Sequence, residues 1–159
     1  MSQDNSKMST IQMANAAFIP EVINMVNEGH TVTIPLRGYS MRPFLEDRRD
    51  KAVLVAASQL CKGDVVLAEI GHGHYVLHRI IKIDGNTITL RGDGNIKEEK
   101  CVRENIKAQA IGFYRKNNKT MNSTNSLKWK LYSAAWSRLY PIRRYLLFIY
   151  RYFNKNNYQ

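Results

Sequence analysis

Residues 64–83, DVVLAEIGHGHYVLHRIIKI, decide the fold class of this chain. Asp64 to Ile70 and Tyr75 to Ile83 are apolar, β-branched runs of strand length, and Gly71-His72-Gly73-His74 between them supplies the glycines of a tight reversal. The pattern is that of a β-hairpin. Downstream, Asp84-Gly85-Asn86 is a second turn signal, leading into a strand from Thr87 to Arg91 and the loop Gly92-Asp93-Gly94-Asn95. Ala108 to Tyr114 reads as a further strand. Upstream, Ala52 to Ala57 is strand-like, and Thr31 to Leu36 alternates Val32, Ile34 and Leu36 with Thr31, Thr33 and Pro35. That is the period of a half-buried strand, and Pro35 suits an edge position. Asn15 to Gly29 places Ile19, Val22, Ile23 and Val26 at helical spacing, with Pro20 suited to a first turn and Gly29 to a stop. The expected class is mainly β (α+β), a single small domain of antiparallel hairpins behind a short helix.

The charge is split along the chain. Thirteen basic and thirteen acidic residues cancel over residues 1–104, whereas residues 105–159 hold the remaining eleven Lys and Arg and no acidic residue. The net charge of +11 is thus carried by the C-terminal third. Such a segment suits an anionic partner. Lys116 to Ser126, rich in Asn, Lys, Ser and Thr, reads as a linker over residues 116–126. After it, helical periodicity runs from Leu127 to Tyr140, is interrupted at Pro141, and resumes from Ile142 to Phe153. These C-terminal amphipathic helices, residues 127–159, interleave aromatic rings with seven basic residues, as an interfacial helix on an anionic leaflet does. A helix packed on its own domain is the competing reading, and nucleic acid is the least favoured partner. Residues 1–12 are polar and expected to be disordered, without a signal peptide or spanning helix, so the expected location is cytoplasmic, with a peripheral membrane contact through the tail. Residues 13–115 form the expected folded domain, its N-terminal helix included.

Chemistry concentrates at Gly38-Tyr39-Ser40-Met41-Arg42-Pro43. A serine becomes nucleophilic only when a base takes its proton and backbone N–H groups meet the oxyanion, and a serine just past a glycine at a strand exit is placed for the second need. Ser beside Gly is also common in plain turns. The order Ser40-Met41-Arg42-Pro43, Gly63-Asp64-Val65-Val66, Leu77-His78-Arg79-Ile80, Gly92-Asp93-Gly94-Asn95 resembles, over residues 31 to 112, the superfamily of type I signal peptidases and self-cleaving, LexA-like repressor proteases. The resemblance implies a small β domain of that kind and a serine endopeptidase with no cofactor. It implies Ser40 as nucleophile, and its Ser-His branch matches His78 as general base. A neutral imidazole suffices for that role at physiological pH.

A third group is expected to orient the ring. Asp93, which matches the aspartate of the fourth block, is the first choice and Glu99 the second. The Ser40 backbone N–H is the expected oxyanion donor, because Gly38 stands where many signal peptidases carry a second serine. Met41 and Pro43 are expected to touch a peptide substrate. The alternative class is a non-catalytic, repressor-like binding module that uses the basic tail, although too little chain precedes residue 31 for a helix-turn-helix of normal size.

The other reactive side chains have plainer readings. His72, His74 and His78 would share one strand face and hold zinc only if the strand were continuous, which Gly71 and Gly73 oppose, so no metal is expected. His30 is expected to be a capping or surface residue at a helix end. Asp64 reads as a turn residue. Cys61 and Cys101 lack any metal spacing and read as ordinary thiols.

Overall fold

The computed structural model describes residues 15–154. The expected disorder of residues 1–12 lies outside that range. The element order is α1 (Asn15–Asn27), β1 (Val32–Pro35), β2 (Lys51–Val55), β3 (Val65–Gly71), β4 (His74–Asp84), β5 (Thr87–Arg91), β6 (Glu99–Val102), β7 (Ile106–Tyr114), β8 (Asn122–Ser123), α2 (Leu127–Arg138) and α3 (Arg143–Asn154). The expected mainly β, α+β class is what the chain adopts. All pairings are antiparallel, in the order β1-β2-β7-β3-β4-β5-β6, with β8 also on β7.

The deciding hairpin forms as its sequence requires. Gly71 pairs with His74 across the turn, and Gly73 takes φ +69°, a conformation that a residue with a Cβ adopts only with strain. β3 lies between β4 and β7, and both of its faces are buried. Val65 and Leu67 join a core with Val22, Val26, Leu54 and Phe113, while Val66 and Ala68 join a second core with Ile80, Ile88 and Leu90. The unbroken apolar run of β3 is therefore the alternation of a strand covered twice. β1 is an edge strand, as Pro35 demands. α1 ends where Gly29, at φ +90°, donates to the Val26 carbonyl and His30 donates to that of Met25. His30 itself is exposed. Pro20 falls inside α1, past the first turn expected for it.

The C-terminal third packs differently from a simple tethered tail. Asn122 and Ser123, within the expected linker, add β8 to β7. Ser126 then caps α2 by accepting from the Trp129 N–H at 3.2 Å. Trp129 is buried, stacks on Phe113 with ring centroids 4.9 Å apart, and meets Phe44 edge-on at 4.7 Å. Trp136 is buried too. Of the rings expected to lie on a membrane, these two tryptophans instead face the domain, Trp129 packing on Phe113 and Phe44. Among the described residues no helix is long and apolar enough to cross a membrane.

Candidate active site

The loop from Leu36 to Asp50 carries the serine, and buried polar groups hold it in place. Asp50 is fully buried and accepts from Arg49, from the Glu46 N–H at 2.9 Å and from the Lys116 N–H at 2.9 Å. Burial alone would raise its carboxyl pKa, but these hydrogen bonds together hold it below the ordinary range. Asp47 accepts from the Gly38 N–H at 2.7 Å, with Gly38 at φ +83°. Arg42 forks onto Glu46, at 2.9 Å from Nε and 2.5 Å from Nη2. The Arg42–Pro43 peptide is cis.

Against this loop sits Gly92-Asp93-Gly94-Asn95. The Gly94 N–H donates to the Ser40 carbonyl at 2.7 Å. A Cβ on Gly92 would come within 2.4 Å of that carbonyl oxygen, and one on Gly94 within 2.7 Å of the Tyr39 carbonyl oxygen. Two glycines are needed for one backbone to lie directly on another.

Ser40 and His78 line one cavity of about 290 Å³, with Met41, Leu77, Asn95 and Glu99 also in its wall. His78 comes from the middle of β4 and is 3% exposed. Its Nδ1 lies 2.6 Å from Glu99 Oε2, which leaves Nε2 as the ring's remaining nitrogen. Burial pushes the imidazole pKa below its ordinary 6.5, and the Glu99 carboxylate opposes that only in part. Neutral imidazole is therefore the resting form, with its N–H donating from Nδ1 to Glu99. Among the described residues no hydrogen bond joins Ser40 to His78, although both line the cavity.

Asp93, the first choice as orienting acid, is occupied elsewhere. Its two oxygens take Arg79 Nε and Nη2 at 2.8 and 2.7 Å, and both side chains are buried. Successive residues of β4 point to opposite faces, so His78 and Arg79 cannot share a partner as neighbours on one face. Glu99, in register with Leu90, which is itself in register with Ile80, falls on the His78 face. The carboxylate bonded to His78 is thus the second choice.

Arg79 also donates to the Gly63 carbonyl at 2.8 Å and to Ser133 Oγ at 2.6 Å, while Trp136 Nε1 donates to the Asp93 carbonyl at 2.9 Å. α2 is thereby bolted to the loop that supports Ser40. Sequence reasoning assigned no role to Arg79 or Ser133 and counted Trp136 among the membrane-facing rings of the tail, although Arg79 stands beside His78 in the third quoted block.

The remaining expectations fall as follows. Met41 lines the cavity, whereas Pro43, also expected to touch substrate, is not among its lining residues. Asp64 is a turn residue, accepting from the Cys61 N–H at 2.8 Å and Gln109 Nε2 at 2.9 Å. His74 reaches the cavity, whereas His72 lies in the exposed turn. Among the described residues no three His, Cys, Asp or Glu side chains gather around a common point. Both cysteines are free, Cys61 exposed and Cys101 buried. Comparison with protein families, curated proteins and solved structures found no match.

Proposed function

We propose that the chain is a serine endopeptidase of the signal-peptidase type, in which Ser40 attacks and His78 moves the proton. The observation that carries this reading is the meeting of Ser40 with a buried, neutral His78 in one cavity, the imidazole held at Nδ1 by Glu99. Ser40 Oγ adds to the scissile carbonyl carbon while its proton passes to His78 Nε2. The imidazolium so formed is stabilised by Glu99 and gives that proton to the leaving amine as the C–N bond breaks. Water then repeats the sequence on the acyl-enzyme, its proton returning through His78 to Ser40. The Ser40 backbone N–H is the proposed oxyanion donor. An extended peptide with small side chains near the cut is the proposed substrate, since a cavity of about 290 Å³ is at the small end for binding sites.

The test uses the purified full chain and an activated peptide ester ending in alanine, with the acyl adduct located by mass spectrometry. An adduct on Ser40, lost in Ser40→Ala and slowed by several orders of magnitude in His78→Ala, is the expected result. Absence of a Ser40 adduct, together with no new cleavage sites in a peptide library, would overturn the proposal and leave a non-catalytic binding module.

A further inference from the structure

α3 is built inside out for a surface helix. Its inward side carries Arg143, Leu147 and Tyr150. Arg143 is buried and donates to the Trp136 carbonyl at 2.9 Å, Leu147 is buried, and Tyr150 Oη lies 3.3 Å from Glu46 Oε2. Tyr145, Phe148, Ile149, Tyr152 and Phe153 recur at i, i+3, i+4, i+7 and i+8, the spacing of an apolar stripe that normally faces a core. Here that stripe faces out, with Tyr145 68%, Phe148 69% and Phe153 74% exposed. Arg144 and Arg151, both exposed, fall together about 110–130° from its centre, along one flank.

We propose that this outward face of α3 is a docking surface for an anionic membrane. The occupant follows from charge. Residues 105–159 contain eleven basic residues and no acidic one, so a second copy of the same face would bring like charges together. A nucleic acid would meet five apolar side chains where it needs phosphate contacts. A leaflet of acidic lipid satisfies both parts, rings entering the headgroup boundary while arginine stems lie along the apolar surface and their heads stay at the phosphates. Twelve residues span about 18 Å, too short to cross a bilayer but suited to lying in its surface. The stripe differs from the one the sequence suggested, since Trp129 and Trp136 face the domain. Through Tyr150 and Glu46, the helix that would touch lipid also touches the wall of the Ser40 cavity.

The test is sedimentation of the full chain with vesicles of phosphatidylcholine alone and of phosphatidylcholine mixed with phosphatidylglycerol. Binding is expected only to the mixed vesicles. Phe148→Ser combined with Phe153→Ser, and separately Arg144→Gln combined with Arg151→Gln, should each weaken it by roughly tenfold or more. Near-ultraviolet circular dichroism of the buried tryptophans should stay unchanged in both. Ser40→Ala should bind as the parent does, so failure of the peptidase reading and failure of this one are distinguishable. Equal binding to neutral vesicles, binding unaffected by either pair of substitutions, or a concentration-dependent dimer lost in the Phe148→Ser variant without vesicle binding would each overturn the proposal.

Discussion

Replacing Glu99 by Gln and Asp93 by Asn separates two carboxylates that the sequence alone leaves as rivals. In Glu99→Gln the amide can still touch His78 Nδ1, now 2.6 Å from a carboxylate oxygen, but it cannot stabilise an imidazolium and can present the wrong group to the ring. Loss of such an acid in a serine peptidase costs about 10⁴ in rate. Glu99 is 23% exposed, so solvent replaces part of its effect, and a loss of about 10²–10³ is expected, roughly 3–4 kcal/mol of barrier. The variant should also report on His78 itself. Glu99 is the largest influence raising that pKa, so its removal should move the acid limb of kcat/KM to lower pH.

Asp93→Asn should behave in the opposite way. It strips the bidentate partner from a buried arginine, which costs about 3–5 kcal/mol. For a chain of this size each kcal/mol lowers Tm by about 2–4 °C, giving a fall of roughly 6–20 °C. Per folded molecule the rate should fall less than in Glu99→Gln. Ester acylation across a pH series and thermal melts of both variants make the comparison. A large rate loss with an unmoved acid limb in Glu99→Gln would refute the reasoning, as would a greater rate loss in folded Asp93→Asn.

Three further outcomes follow from the same geometry. Because burial holds the His78 pKa below 6.5, activity of the parent should persist below that pH. The stability that comes with a neutral buried ring should be full above pH 6.5 and decline as pH falls toward the folded-state value, which denaturant melts across the range would show. Gly92→Ala should slow acylation of Ser40 by at least tenfold and cost about 1–3 kcal/mol in stability, since its Cβ would press on the Ser40 carbonyl; an unchanged rate would mean that the two loops part without consequence. Trp129→Ala should cost about 3–5 kcal/mol in chemical denaturation, whereas Phe148→Ser should stay near the parent, and equal values would contradict the opposite placement of the two rings.

Much of the fold was legible because local rules are strong where a strand meets a turn. The hairpin through Gly71 and Gly73, the strand from Thr87 to Arg91 and the helix breaks at Gly29 and Pro141 each rest on backbone freedom or its loss, which neighbours in sequence settle. Glu99–Val102 gave little warning of β6: its residues are charged or small, and it is a strand because β5 offers it an edge. The ranking of the two acids turned on that strand. Without the register Leu90↔Glu99 nothing in the sequence places Glu99 on the His78 face, while Asp93 has the nearer position in a suggestive loop.

The sequence by itself determined the antiparallel β class, the glycine-dependent turns and the pair of residues, Ser40 and His78, that line the cavity. Only the tertiary structure decided which carboxylate reaches the imidazole, that Arg79 claims the other, and that α2 buries its tryptophans while α3 turns its rings outward. The physical reason is the range of the interactions. Turn chemistry and periodicity act within a few residues, whereas partner choice between buried charges depends on which faces the sheet brings together, over separations of 14 residues for Arg79 with Asp93, 21 for His78 with Glu99 and 54 for Arg79 with Ser133.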